Sequence, residues 1–295
     1  MPHILLLGRF GQLGWELERT LAPIGEVTAL DFPEIDLLNL IDLDEIVRTT
    51  RPDVIVNATA YTAVDQAEKA HETAMAINAN APKRLAELAQ EYESALIHYS
   101  TDYVFDGDKG SPYIETDIPN PLCMYGKSKL AGEQALEEIG GAYIIFRTSW
   151  VYSLRRDSFV TKVLDWARKQ TALQVVSDQV SNPTWCRMLA EVTANVLAKA
   201  GELPTGWVKE RRGLYHLAGS GFTSRLDWAK KILEFDPYPD EQVVKDLQPA
   251  LTSDFPAPAQ RPLYSALNCD RFTDTFSLRL PDWEEALRLA MDTTG

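Results

Sequence analysis

The chain predicts an α/β protein: a doubly wound parallel sheet with a smaller mixed α/β C-terminal lobe. Three observations carry this prediction. Short, wholly apolar segments alternate with amphipathic ones through the first 150 residues, and parallel strands covered on both faces read as unbroken apolar runs. A glycine-spaced turn joins the first apolar run to the first amphipathic one. Beyond residue 150 the rhythm loosens and proline accumulates, which suits a second, less regular lobe. A chain of 295 residues is expected to form one or two lobes, because single cores stop growing near roughly 250–300 residues. The expected division is 1–150 and 151–295, with part of the later chain returning to the first sheet.

The elements follow in order. A strand is expected over 3–8, then a helix over Trp15–Leu21, whose apolar positions recur at helical spacing. The second strand, Val27–Leu30, ends at Asp31, and a helical stretch from Leu43 to Thr50 leads to the third, Val54–Val56, which ends at Asn57. A long helix near 72–92, a strand Ala95–Ser100, a helix near 124–138 and a strand Tyr143–Arg147 complete the first half. Later come helices at 158–170, 187–200, 224–234 and 282–292, with extended segments at Leu173–Val176 and near Gly213–Leu217. Residues 254–262 hold Pro256, Pro258 and Pro262; proline neither continues a helix nor donates to a ladder, so a shaped surface loop is expected.

Apolar residues at 45% and charged residues at 24% are those of a globular protein. A net charge of −14 repels polyanions, which argues against nucleic acid as a partner. A single nucleotide diphosphate is a different case, since two or three local donors can hold it. Cys123, Cys186 and Cys269 are widely spaced and show no metal-like rhythm, as expected of reduced thiols in a cytosol. The apolar run at the N-terminus is too short for a signal peptide, and no stretch approaches the about 18 apolar residues of a membrane span. A cytoplasmic protein without a membrane partner is expected.

The turn Gly8-Arg9-Phe10-Gly11-Gln12-Leu13-Gly14 follows the first strand and opens the first helix. Glycines there permit a tight bend and let backbone N–H groups approach a pyrophosphate, while the helix N-terminus adds partial positive charge. Such a turn also occurs without a ligand. Asp31, at the end of the second strand, stands where a carboxylate accepts the adenosine ribose hydroxyls. Together these predict a Rossmann dinucleotide site with Gly8, Gly11, Gln12, Leu13 and Asp31 in contact with the cofactor. A carboxylate disfavours a 2′-phosphate and Arg9 can pair with one, so NADPH and NADH both stay open. Ala60, Tyr61 and Thr62, just past the third strand, are expected at the same cofactor, whereas Asn57 reads equally well as a buried amide shaping the turn.

Tyr125 and Lys129 stand at i and i+4, on one face of a helix. Reduction of a ketone places charge on the carbonyl oxygen, so a proton donor is needed there. A phenol near pKa 10 is a poor acid–base group at neutral pH, and an adjacent ammonium lowers that value. Tyr99, Tyr103 and Tyr113 lack a lysine four residues on; Tyr99 is kept as a cofactor contact, along with Tyr125 and Lys129. With Ser100-Thr101-Asp102-Tyr103 preceding them, this order and spacing resembles the extended branch of the short-chain dehydrogenase/reductase family.

The likeness narrows along the chain. The strings Gly11-Gln12-Leu13-Gly14-Trp15-Glu16-Leu17, Arg51-Pro52-Asp53-Val54-Ile55-Val56-Asn57-Ala58, Ser100-Thr101-Asp102-Tyr103-Val104-Phe105-Asp106-Gly107 and Phe146-Arg147-Thr148-Ser149-Trp150-Val151-Tyr152 resemble the dTDP-4-dehydrorhamnose reductase family. So do Arg261-Pro262 and Leu280-Pro281-Asp282-Trp283. The resemblance implies reduction of the C4 ketone of dTDP-4-dehydro-6-deoxy-L-mannose to dTDP-L-rhamnose by NADPH or NADH. It also implies Tyr125, Lys129 and Thr101 as the catalytic set and Thr101, Asp102 and Trp150 as contacts to the dTDP-sugar. Arg261 is added as a pyrophosphate contact because of its rigid, proline-rich setting. Some members of the family share a metal between two subunits through glutamates; Arg187 stands where one is needed, so no metal is expected. Glu16 then reads as a first-turn helix residue favoured by the dipole. A monomer or homodimer is expected. The alternatives are a nucleotide-sugar epimerase that keeps its NAD, and a non-catalytic dinucleotide-binding regulatory subunit.

Overall fold

Each apolar run of the first half becomes a parallel strand. The computed structural model describes residues 1–292. Its strands β1 (His3–Leu7), β2 (Glu26–Leu30), β3 (Val54–Asn57), β4 (Ala95–Thr101) and β5 (Tyr143–Thr148) are separated by α1 (Gln12–Leu21), α2 (Leu40–Thr50), α3 (Val64–Ala67), α4 (His71–Met75), α5 (Ala81–Glu91) and α6 (Met124–Ile139). The later chain adds β6 (Val151–Tyr152), α7 (Phe159–Lys169), β7 (Ala172–Val176), β8 (Val180–Ser181), β9 (Thr184–Trp185), α8 (Cys186–Ala200) and α9 (Pro204–Glu210). It continues through β10 (Gly213–His216), β11 (Thr223–Ser224), α10 (Arg225–Glu234), β12 (Asp246–Ala250), α11 (Asp270–Phe276) and α12 (Trp283–Met291).

The main sheet runs β10-β5-β4-β3-β1-β2, and every neighbouring pair is parallel. From β1 the chain steps outward to β2 and then crosses back to β3, so the winding reverses between β1 and β3. Ligands of open α/β sheets bind beyond the carboxyl ends of the strands at such a reversal. The period-two alternation of the strands splits the core into two layers. Ile4, Leu6, Val54, Val56, Ile97 and Phe146 pack under α1, α8, α9 and α11. On the opposite face Leu5, Leu7, Ile55, Leu96 and Ile145 pack under α2, α5 and α6.

The second lobe has its own core, in which Tyr152, Val160, Val163 and Val175 meet Leu226, Trp228 and Ile232 of α10 and Trp283, Leu287 and Met291 of α12. Its pairings are mixed: β7–β12 and β6–β9 are parallel, β8–β11 antiparallel. Among the described residues no helix is long and apolar enough to cross a membrane.

Several elements differ from the sequence expectation. The first helix starts at Gln12, so Glu16 lies beyond its first turn, and burial raises its carboxyl pKa against the pull of Arg187, Arg19 and Arg155. The helix expected over 72–92 contains a wider turn, Ala76–Asn80, between α4 and α5; such turns redirect side chains and recur at functional sites. Strand β12 was not foreseen, because Asp246-Leu247-Gln248-Pro249-Ala250 has no apolar alternation and takes its shape from pairing with β7.

Candidate active site

The glycine turn forms for steric reasons that can be stated atom by atom. Gly8 holds φ +95°, and a Cβ on Gly14 would lie 1.8 Å from the Gly8 carbonyl oxygen, so α1 can rest on the turn only without side chains there. Asp31 braces the turn by accepting the Phe10 N–H (2.8 Å) and the Phe32 N–H (2.8 Å). At the β1/β3 reversal a cleft of about 840 Å³ opens, lined by Gly8, Gly11, Gln12, Leu13, Asp31, Ala60 and Thr62 among others. Tyr61 is held between the last two by Asn78, whose side chain accepts its N–H at 2.8 Å and donates to its carbonyl at 3.2 Å.

These residues fit a dinucleotide. The N-terminus of α1 has no side-chain cap, and the Gln12 Oε1 atom is buried without a partner; both are groups an anionic, hydroxyl-rich ligand satisfies. Arg9 bonds the Ala29 carbonyl at 3.2 Å and pairs with Glu18 (3.4 Å) and Glu34 (3.8 Å), so its charge is already balanced. Cations come instead from the loop after β6. Arg155 reaches the Phe10 and Gly11 carbonyls at 3.4 and 3.3 Å, and Arg156, which lines the cleft, also donates to Phe10.

Helix α6 brings Tyr125 and Lys129 to the carboxyl end of β4. It comes that close because Gly126 sits against the Tyr103 carbonyl, where a Cβ would approach to 2.2 Å. Burial pushes the Tyr125 phenol well above its usual range, while a hydrogen bond with the Thr101 hydroxyl acts in the opposite direction. Lys129 is pulled down to about 8 by burial, against the attraction of Glu133. Its Nζ donates to the Tyr99 carbonyl at 2.6 Å and lies 3.3 Å from His98 Nε2. The ammonium expected to depress the tyrosine is thus held to β4, and Thr101 acts to lower the phenol against burial, Asp102, Tyr103 and Cys123. Tyr99, expected as a cofactor contact, turns its ring away from α6. Its side chain packs in the α8 layer with its hydroxyl 2.8 Å from Thr193 Oγ1, and only its carbonyl faces Lys129.

Asp102 is 2% exposed and accepts from Ser265 (2.5 Å), Ser181 (3.1 Å) and Thr101 (3.2 Å). Burial pushes its carboxyl up to about 6 against those bonds. The carboxylate therefore ties β4 to the second lobe. Trp150, at φ +40°, stacks on Trp228 with centroids 5.5 Å apart, and the Arg225 guanidinium lies 3.6 Å from its ring centre. Arg225 and Arg261 line a second cleft of about 1020 Å³ together with the proline-rich loop. Arg261 is anchored by Asp65 through two bonds, 3.1 and 2.7 Å.

Sequence reasoning missed His98, Asn78, Arg156 and Arg225. His98 is a polar residue in an apolar strand and Asn78 one in the middle of a predicted helix, so both carried a weak signal. Arg156 and Arg225 carried none, because only packing brings them to the clefts.

Comparison with known proteins identifies the family. The family described as RmlD substrate binding domain matches residues 2–295. The dTDP-4-dehydrorhamnose reductase of Escherichia coli strain K12 is 42% identical over 291 residues, covering 97% of this chain and 96% of that protein. The structure of a dTDP-4-dehydrorhamnose reductase from Clostridium acetobutylicum superimposes with a TM-score of 0.89 at 33% identity, covering 98% of each chain. One from Bacillus anthracis, in complex with NADP, gives a TM-score of 0.88 at 33% identity with the same coverage. The chain belongs to the RmlD substrate-binding-domain family, the family of the dTDP-4-dehydrorhamnose reductases.

Proposed function

We propose that this chain reduces the C4 ketone of dTDP-4-dehydro-6-deoxy-L-mannose to dTDP-L-rhamnose with NADPH or NADH. The observation that carries the reading is the meeting of Thr101, Tyr125 and Lys129 at the carboxyl end of β4, next to the strand whose continuation lines the first cleft. When bound, the reduced nicotinamide supplies the hydride to C4. Tyr125 donates its phenolic proton to O4, and the Thr101 hydroxyl, already bonded to that phenol, orients it and shares the oxygen. Lys129 restores the proton to Tyr125. The Gly11–Leu13 turn and Arg156 hold the cofactor pyrophosphate and Asp31 the adenosine ribose. Arg225, Arg261 and Trp150 take the nucleotide sugar in the second cleft, and Asp102 fixes the strand end between the two. The protein works in the cytoplasm as a monomer or homodimer, and its charge of −14 supports the absence of a nucleic-acid partner.

The test is loss of reduced-nicotinamide absorbance with this ketone, NADPH and NADH compared, for wild type and Tyr125→Phe. Removal of a general acid lowers turnover by about 10²- to 10⁴-fold, and that fall in the variant is the expected result. Cofactor binding without turnover in wild type would discard the reductase reading; NAD that stays bound through purification would point to the epimerase.

A further inference from the structure

The amide of Asn57, at the end of β3, is fixed in one orientation. The Thr59 backbone N–H, which can only donate, bonds Asn57 Oδ1 at 3.1 Å, and the Thr59 hydroxyl bonds the same oxygen at 2.5 Å. Asn57 Nδ2 is therefore the atom that faces His98, 3.2 Å from the ring Nδ1. An amide nitrogen only donates, so His98 Nδ1 accepts. The ring is 0% exposed, and burial, with Lys129 adding to it, holds its pKa well below the usual histidine range. A neutral imidazole has one proton, and here it must sit on Nε2.

Nε2 lies 3.3 Å from Lys129 Nζ, which is 1% exposed and also donates to the Tyr99 carbonyl at 2.6 Å. An Nε2–H opposes an ammonium N–H, whereas it bonds the lone pair of an amine. We propose that His98 is a positioning residue for Lys129: the tautomer imposed by Asn57 and Thr59 donates a hydrogen bond to the lysine and favours its uncharged form. Besides His98 and the Tyr99 carbonyl of β4, Lys129 senses Glu133, one turn further along α6. Glu133 favours the ammonium, but both its oxygens are bonded by Arg147 of β5, at 2.9 and 2.6 Å. Tyr125, on the same helix, is kept in its uncharged phenol form by burial.

The consequence for turnover rests on the reductase reading. Once Tyr125 has passed its proton to the substrate oxygen, the Lys129 ammonium replaces it through an intervening hydroxyl or water rather than by direct contact, and the His98 Nε2–H bonds the amine left behind. Lys129 thereby becomes a readier proton source.

Nuclear magnetic resonance on protein carrying labelled histidine ring nitrogens and labelled lysine Cε tests this without turnover. The chain has 4 histidines, so His98→Gln identifies the His98 signals, and Lys129→Met identifies those of Lys129. Wild type should show His98 protonated at Nε2. In Asn57→Asp the new carboxylate should draw the proton to Nδ1, present the Nε2 lone pair to the ammonium, and raise the Lys129 titration by about one pH unit or more, about tenfold in proton affinity. The alkaline limb of turnover should move the same way. A wild-type His98 protonated at Nδ1 overturns the proposal, and so does a tautomer that switches while Lys129 titrates unchanged. Should Asn57→Asp fail to fold, the wild-type tautomer still decides. The expected tautomer in a protein that reduces no ketone would remove the proposed function and leave this inference standing.

Discussion

At Asp102 burial and hydrogen bonding pull in opposite directions on one carboxyl group. Burial dominates, and the folded pKa of about 6 stands above the ordinary 3.8 despite Ser265, Ser181 and Thr101. A carboxyl with a raised folded pKa favours the protonated state. Its contribution to stability is fully present below pH 3.8 and is lost as pH rises through about 6. At neutral pH the ionised group costs about 3 kcal/mol. Asp102→Asn keeps an acceptor oxygen for the serines and cannot ionise. Denaturant unfolding should therefore show wild type losing more stability than the variant between acid and neutral solution; parallel curves would contradict the assignment. The same residue marks a limit of sequence reading, since Ser181 and Ser265 reach it from far along the chain.

Among the elements, α6 and the loop after β6 set the two halves of the site. Helix α6 is fastened to β5 by the buried pair Glu133–Arg147, whose side chains are 2% and 4% exposed. Breaking such a pair from one side leaves an uncompensated buried charge and costs about 3–5 kcal/mol. Arg147→Met should cost that much in denaturant unfolding, and adding a Glu133→Leu change should restore most of it; a single variant as stable as wild type would refute the pairing's role. The loop carries Arg155 and Arg156, both exposed and both bonded to carbonyls of the glycine turn. A pyrophosphate on that turn is a stronger partner for a guanidinium than a carbonyl is. Saturating NADPH should therefore slow tryptic cleavage after Arg155 and Arg156, read by mass spectrometry of the fragments; an unchanged rate would detach the loop from cofactor binding.

Taken as a whole, the two expected lobes depend on each other. Strand β10 closes one edge of the main sheet by pairing with β5, and α8, α9 and α11 cover the face that carries Ile4, Leu6, Val54, Val56, Ile97 and Phe146. All four elements lie beyond residue 150. Each apolar side chain of that face loses about 1.5–3 kcal/mol if left in water, so the six together lose as much as the roughly 5–15 kcal/mol that keeps a whole domain folded. A fragment of residues 1–150 should lack near-ultraviolet circular dichroism and bind hydrophobic dye; a cooperative unfolding transition in that fragment would contradict the mutual dependence.

The sequence by itself determined the five strands of the first half, the glycine turn with Asp31 beyond it, and the pairing of Tyr125 with Lys129 on one helix face. Each follows from a local rule: apolar runs for strands buried on both sides, missing side chains where backbone meets backbone, and the i, i+4 spacing of a helix. Which face of β4 receives α6 was not written in any single segment. That choice sends His98 toward Lys129 and turns the Tyr99 ring to the opposite layer. Asp102 as a tie between lobes, Arg225 on Trp150 and Arg156 over the glycine turn were decided in the same way. Only the tertiary structure could settle these, because each rests on packing segments that are far apart in the chain, where pattern and propensity are silent.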